Sequence, residues 1–199
     1  MPEPPTPEPE QTEATDEALM QSFAAGSQPS FAELFARYRQ PIFAFFRRRL
    51  NDRERAEELT QETFIAVLQS APRYEPRALF RTFLYAIALK KLTADRRKRA
   101  FRGTFWSTST DVETATTPTP STAELELRQA LTRLEPMDRE VLLLREYEQL
   151  AYAEIAELLH LPLNTVRSRL FRARSALRDQ LTSPASASTP PLTLRTEER

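Results

Sequence analysis

The chain has 199 residues, as many acidic as basic side chains, no cysteine and a single histidine. These counts exclude disulfides, thiolate metal sites and multi-histidine metal sites. With only two glycines it has no glycine-rich phosphate loop, and no apolar run approaches the ~20 residues that a membrane span needs. We therefore expect a cytoplasmic protein with no cofactor, no metal, no membrane insertion and no enzymatic activity.

Charge is distributed unevenly along this neutral chain. The first 27 residues contain six acidic side chains and no lysine or arginine, whereas residues 77–102 contain nine basic side chains and one acid, Asp95. Local patches matter more than the total charge when a protein binds a polyanion. The basic segment is therefore a candidate for nucleic-acid binding.

Composition divides the chain into two domains with loose flanking segments. Residues 1–28 and 183–199 are rich in Pro, Glu, Ser and Thr, which predicts disordered tails, with a short helix near residues 16–25. A similar Ser/Thr/Pro composition predicts a flexible linker at residues 103–121. Two globular domains remain, at residues 29–102 and 122–182.

The first domain has helical periodicity throughout. We predict that residues 30–38 and 41–50 form a helix with a break or kink at Pro41. Asp52 can cap a helix that runs to about residue 70, where Pro72 follows. A third helix is predicted at about residues 77–100. No segment alternates like a half-buried strand, so the predicted fold class is all-α.

The second domain is predicted to contain four helices, at about residues 123–134, 136–147, 152–159 and 163–181. The last two are joined by residues 160–162 and form a helix-turn-helix. The final helix is amphipathic, with one apolar stripe formed by Val166, Leu170, Ala173, Leu177 and Leu181. Its other side offers Thr, Ser and Arg, which suit a DNA major groove because Arg can pair with guanine edges or phosphates.

Three segments occur in an order that resembles a known family. They are AEELTQETFIAVLQ at residues 56–69, FRTFLYAIALKKLTADRRKR at 80–99, and LEPMDREVLLLREYEQLAYAEIAELLHLPLNTVRSRLFRARSAL at 134–177. Together they resemble the bacterial RNA polymerase sigma factors of the extracytoplasmic-function (ECF) group. The resemblance implies two small helical domains joined by a flexible linker, the C-terminal one with the helix-turn-helix.

The resemblance also implies three binding surfaces. The first binds core RNA polymerase through Glu58, Gln61, Glu62 and Ile65. The second opens and reads the minus-ten element of promoter DNA through Phe83, Lys90, Lys91, Arg96, Arg97, Lys98 and Arg99. The third reads the minus-thirty-five element through Asn164, Thr165, Arg167, Ser168, Arg169, Arg172 and Arg174. For Phe80 and Tyr85, core packing is at least as plausible as base stacking.

Two departures from the family pattern fall at the helix-turn-helix. Gln149-Leu150-Ala151 stands where the family usually has Gly-Leu-Ser, and Ala151 cannot cap a helix. His160 stands where the turn usually begins with Gly, and a positive φ there would cost His more than Gly.

We therefore expect a sigma factor, monomeric when free, that binds core polymerase, directs promoter recognition and strand opening, and is regulated by an anti-sigma factor. One alternative is a sigma mimic that sequesters an anti-sigma factor without touching DNA, but the retained arginines argue against it. The other is a stand-alone helix-turn-helix regulator, which would leave the 56–69 and 80–99 motifs without a purpose.

Overall fold

The computed structural model describes residues 14–50, 52–105 and 122–182, and within these ranges the chain forms helices and no strand. The chain divides into two compact units, Met1–Ala115 and Thr116–Arg199. The predictions of an all-α fold with two helical domains are confirmed. The far tails, most of the predicted linker and Trp106 lie outside the described residues. No helix in the described ranges is long and apolar enough to cross a membrane.

The helices follow the predicted order, beginning with the short helix predicted near residues 16–25. The N-terminal unit contains α1 (Asp16–Ala24), α2 (Gln28–Arg47), α3 (Arg53–Ser70), a 3₁₀ turn (Ala71–Arg73) and α4 (Phe80–Phe105). The C-terminal unit contains α5 (Thr122–Arg133), α6 (Pro136–Glu146), α7 (Tyr152–Leu159) and α8 (Leu163–Thr182). Residues 103–105, predicted as linker, instead complete α4.

Helix α1 belongs to the folded unit, so the prediction of a disordered tail is wrong for residues 16–24, while the short helix predicted near residues 16–25 is confirmed. Leu19 and Met20 are buried, and Thr15 caps the helix by accepting from Ala18 N. The Glu17 carboxylate accepts a hydrogen bond of 2.7 Å from Phe80 N at the start of α4. This acid thus satisfies a backbone donor that the first turn of α4 would otherwise leave open.

Helix α2 runs through Pro41 without a break, so of the predicted break or kink the break is wrong. Proline in a helix interior removes one backbone hydrogen bond and strains the preceding turn, at a cost of about 3 kcal/mol. The flanking turns offset this cost because Leu34, Ile42, Phe45 and Phe46 are all buried. Burial of such side chains stabilises by about 1.5–3 kcal/mol each.

In the C-terminal unit, α8 packs against the other three helices. Residue 160 ends α7 in the left-handed conformation expected there, with φ 53°. Gln149 also has a positive φ, 57°, which we did not predict. As expected, Ala151 provides no side-chain cap, but Glu154 accepts from Ala151 N at 2.7 Å.

Candidate nucleic-acid and polymerase interfaces

The exposed face of α3 carries the four residues predicted to bind polymerase. The side chains of Glu58 and Glu62 are 60% and 40% exposed, Ile65 is 51% exposed and Gln61 is also exposed. On the other side of the helix, Leu59 is buried in the core. A half-exposed isoleucine beside two carboxylates is a surface that a basic partner with an apolar site can cover.

Ion pairs connect this face of α3 to α4. Arg55 Nη1 lies 2.6 Å from a Glu58 carboxylate oxygen, and Arg55 Nε lies 2.8 Å from Asp95 Oδ1 on α4. Lys91 Nζ lies 3.4 Å from Glu62 Oε2. Burial alone would lower the pKa of Arg55, but its hydrogen bonds to Glu58 and Asp95 outweigh burial and raise it. The two helices are thus held together by charged groups that border both predicted surfaces.

The middle and the C-terminal half of α4 expose predicted basic side chains. Five of its predicted DNA-binding side chains are exposed, namely Lys90, Arg96, Arg97, Lys98 and Arg99. Arg99 also contacts two acids, at 3.1 Å to Asp52 and 3.0 Å to the buried Asp95. Part of the positive charge of this helix is therefore neutralised within the N-terminal unit itself.

An open cleft lies next to the start of α4. It has a volume of about 370 Å³ and is lined by Ser70, Arg73, Tyr74, Glu75, Arg77 and Phe83. The rings of Tyr74 and Phe83 meet edge to face, with centroids 5.3 Å apart. The Tyr74 hydroxyl is buried without a hydrogen-bond partner among the described residues, and burial raises its pKa. Aromatic rings beside guanidinium groups suit an unpaired base and its phosphate.

The neighbouring aromatic residues of α4 belong to the core. Phe80 is fully buried and Tyr85 is 3% exposed. Tyr85 packs against Phe45, with ring centroids 5.6 Å apart. Among Phe80, Phe83 and Tyr85, only Phe83 lines the cleft.

The buried and exposed sides of α8 largely match those predicted from the sequence. Val166, Leu170 and Ala173 are buried, although Leu181, predicted for the same stripe, is 47% exposed. Most predicted DNA-binding side chains are exposed, namely Asn164, Arg167, Ser168, Arg172 and Arg174. The other two, Thr165 and Arg169, are half-buried.

Three arginines of α8 pair with acids around α6. Arg169 Nη1 lies 2.7 Å from Asp138 Oδ1, and Arg172 Nε lies 3.1 Å from Asp138 Oδ2. Arg174 Nη2 lies 2.5 Å from Glu146 Oε1. Burial alone would raise the pKa of Asp138, but hydrogen bonds from Arg172 and Arg169 outweigh it and hold that pKa below its usual value.

Sequence reasoning missed two residues of this surface. Phe171 is 74% exposed, so a large aromatic ring stands on the outer side of α8 beside Arg167 and Ser168. Its position outside the apolar stripe was the available signal. Asp138 is the second, and its contact with Arg172 spans 34 positions in sequence, which no local pattern reveals.

Comparisons with known proteins agree with this architecture. Residues 34–102 match the family Sigma-70 region 2, and residues 124–177 match Sigma-70, region 4. The chain is 33% identical over 160 residues to RNA polymerase sigma factor YlaC of Bacillus subtilis (strain 168), covering 77% of this chain and 92% of YlaC. It is also 33% identical over 171 residues to the ECF sigma factor SigW of the same organism, covering 78% of this chain and 91% of SigW.

A solved structure shares the fold. CnrH, in complex with the cytosolic domain of CnrY, superposes with a TM-score of 0.65 at 26% identity, covering 83% of this chain and 96% of CnrH. The two helical units and these matches define a transcription initiation factor that directs RNA polymerase to promoters. The chain belongs to the sigma-70 family, in the ECF group of RNA polymerase sigma factors.

Proposed function

We propose that the three surfaces divide the work of promoter-dependent initiation among α3, α4 and α8. The observation that carries this proposal is their geometry: each predicted set of residues lies largely exposed on one helix, and the apolar side of each helix is buried. The chain itself performs no catalysis in this proposal; it brings promoter choice to the polymerase.

Core polymerase binds the exposed face of α3. Glu58 and Glu62 supply charge, while Ile65 and the 39%-exposed Leu68 supply apolar area. Charged groups at such a surface steer association and select a complementary basic partner, and the apolar side chains gain from losing water.

The minus-ten element occupies the surface formed by the cleft and α4. An unpaired base enters the cleft and stacks against Tyr74 and Phe83, an interaction worth about 1–3 kcal/mol per base. Lys90, Arg97 and Lys98 hold the phosphates of the neighbouring nucleotides.

The minus-thirty-five element lies against α8. Arg167 and Ser168 are exposed near the start of the helix, where a recognition helix usually meets base edges. Phe171 adds an apolar group that can contact a thymine methyl. Arg174 and Arg178, further along, bind phosphates and contribute affinity rather than base preference.

An anti-sigma protein is the remaining proposed partner. The exposed apolar side chains of α3 offer it a surface that competes with polymerase. The relative CnrH is held by the cytosolic domain of another protein. We place the chain in the cytoplasm, where polymerase and promoters are found, as a monomer when free.

Reciprocal variants test the division of labour. Glu58→Lys should weaken binding to core polymerase about tenfold by placing a positive charge against a basic partner. Glu33→Lys is the matched control, because it reverses the charge of an exposed acid on α2 that is likewise paired with an arginine of its own helix. Arg167→Ala should leave core binding unchanged and weaken binding of the holoenzyme to promoter duplex. Fluorescence anisotropy measures both affinities.

Two results would contradict the assignment. One is equal loss of core binding in Glu58→Lys and Glu33→Lys. The other is an Arg167→Ala variant that loses core and promoter binding in the same proportion.

A further inference from the structure

Asp138 is the central group on the surface between α6 and α8. It lies in the first turn of α6, and its side chain is only 10% exposed. Arg169 contacts its Oδ1 at 2.7 Å, and Arg172 contacts both carboxylate oxygens, with Nε 3.1 Å from Oδ2 and Nη2 3.2 Å from Oδ1. A single carboxylate thus fixes two arginines of the recognition helix.

The two arginines are held in different ways. The side chain of Arg169 is 26% exposed, and its Nη1 is also 3.0 Å from the Glu135 carboxylate, so two acids hold it against α6. Arg172 is 55% exposed and contacts Asp138 alone of these acids. Arg169 therefore ties the helices together, while Arg172 still faces solvent.

The contact with Asp138 leaves the outer edge of the Arg172 guanidinium open to solvent. A guanidinium carries five N–H donors, and this contact uses Nε–H and one proton of Nη2. The Nη1 protons and the second Nη2 proton remain on the far edge. That edge has the two parallel donors that pair with O6 and N7 of guanine in the major groove.

The charges around Asp138 suit a role in orienting Arg172 better than a role in attracting phosphates. Asp138 and Glu135 carry two negative charges against the two positive charges of Arg169 and Arg172, all linked by contacts of 3.2 Å or less. Such a cluster adds little net attraction for phosphates, which act through uncompensated charge. Holding Arg172 in one rotamer, however, lowers the entropy cost of each hydrogen bond that it makes to a base.

We propose that Asp138 is a positioning residue for base recognition, orienting the Arg172 guanidinium toward a guanine edge in the upstream promoter duplex. This inference rests on the proposed function, because it needs α8 in the major groove. It also reassigns Arg169, predicted above to contact the minus-thirty-five element, as a second positioning residue that holds α8 on α6.

The test uses holoenzyme reconstituted from core polymerase and the full chain, with duplex promoters randomised across the upstream element. Sequencing of the bound fraction gives the preference at every base pair. Arg172→Ala should abolish a preference of about tenfold at one or two base pairs. Asp138→Asn, which keeps shape and removes charge, should reduce the preference at those same positions at least about threefold and leave the others unchanged.

Two further variants separate positioning from charge and from fold. Arg172→Lys keeps the positive charge but lacks the two parallel N–H donors of a guanidinium. It should therefore weaken the base preference at the same positions as Asp138→Asn. Glu146→Gln is the matched control: it removes a carboxylate of α6 that contacts Arg174 and not Arg172, and it should leave the base preferences intact. The double variant Asp138→Asn with Arg172→Ala should lose no more preference than Arg172→Ala alone.

The possible results distinguish the positioning role of Asp138 from the proposed function. A profile that is unchanged in Asp138→Asn while Arg172→Ala alters it overturns the positioning role and leaves the proposed function standing. A uniform loss at all positions in Asp138→Asn, with affinity for random duplex reduced as well, also overturns it, because that result marks a structural role alone. Absence of any preference in the wild-type holoenzyme would instead overturn the proposed function.

Discussion

Two residues of the C-terminal unit adopt a left-handed backbone conformation that glycine usually occupies. His160 has φ 53° and ψ 44°, and this conformation lets Leu161 N donate to Ala156 O at 2.9 Å, which closes the end of α7. Gln149 has φ 57°, and its side-chain amide donates to Glu146 O at 2.7 Å. Strained backbone therefore lies near both ends of α7, the first helix of the helix-turn-helix.

Relief of this strain should stabilise the C-terminal unit. His160→Gly should raise the free energy of unfolding by about 0.5–1 kcal/mol, because the removed strain of about 1–2 kcal/mol exceeds the entropy cost of glycine. Gln149→Gly should raise the free energy of unfolding by less, because it loses the side-chain hydrogen bond to Glu146 O. Native-state hydrogen exchange of α7 amides measures both changes.

His160→Ala is the control, because alanine retains the Cβ atom that makes the conformation costly. A stabilisation by alanine equal to that by glycine would show that the imidazole, and not the backbone, is the source of strain.

Residues far apart in sequence define the details that local patterns cannot predict. His160 and Gln149 both stand where the family usually has glycine, and both adopt a positive φ. Asp138 contacts arginines 31 and 34 positions away, so its role emerges only from the packing of α6 on α8. Phe80, Phe83 and Tyr85 are all aromatic, so the sequence does not distinguish core residues from base-contacting ones. The structure does, because Phe80 and Tyr85 are buried and Phe83 lines the cleft.

At the scale of elements, α7 is a short helix with an incomplete N-terminal cap. Ala151 has the extended conformation of a cap residue, with φ −68° and ψ 156°, and Glu154 already accepts from Ala151 N. One half of a capping box is thus present, and the half that a Ser or Thr hydroxyl would supply is missing.

Ala151→Ser should complete the cap. We expect a gain of about 1 kcal/mol in the free energy of unfolding of the C-terminal unit, since a serine hydroxyl at this position can accept from the Glu154 backbone N–H. Ala153→Ser makes the same chemical change two residues later, within the helix, where serine is less favourable than alanine. Thermal unfolding of the full chain measures both variants. A gain in Ala153→Ser, or none in Ala151→Ser, would contradict the capping argument.

The bounds of other elements show which physical terms override local signals. Pro41 predicts an interruption in α2, but the burial of Ile42, Phe45 and Phe46 carries the helix through it. Helix α4 begins at Phe80 and not near residue 77, and Phe80 N is bonded to Glu17, 63 positions earlier. Tertiary contacts decide both cases, so helical periodicity alone could predict the elements but not their ends.

At the scale of the whole molecule, the chain separates its binding surfaces between two helical units. In the proposed function, the polymerase-binding and minus-ten surfaces lie on α3 and α4 of one unit, and the minus-thirty-five surface lies on α8 of the other. The fold class and the helix order could be predicted, because they follow from periodicity and from motifs spread over residues 56–177; the location of the binding surfaces stays a prediction. The pairing of the arginines of α8 with acids could not be predicted, since it depends on how distant helices pack.

The most direct measurement of the central claim is transcription from a promoter library by core polymerase with and without the purified chain. The account predicts that the chain confers initiation at defined start sites downstream of a shared two-part element, and that core polymerase alone does not initiate there. A chain that binds core polymerase without creating any selected start site, or that fails to bind it, would contradict the account.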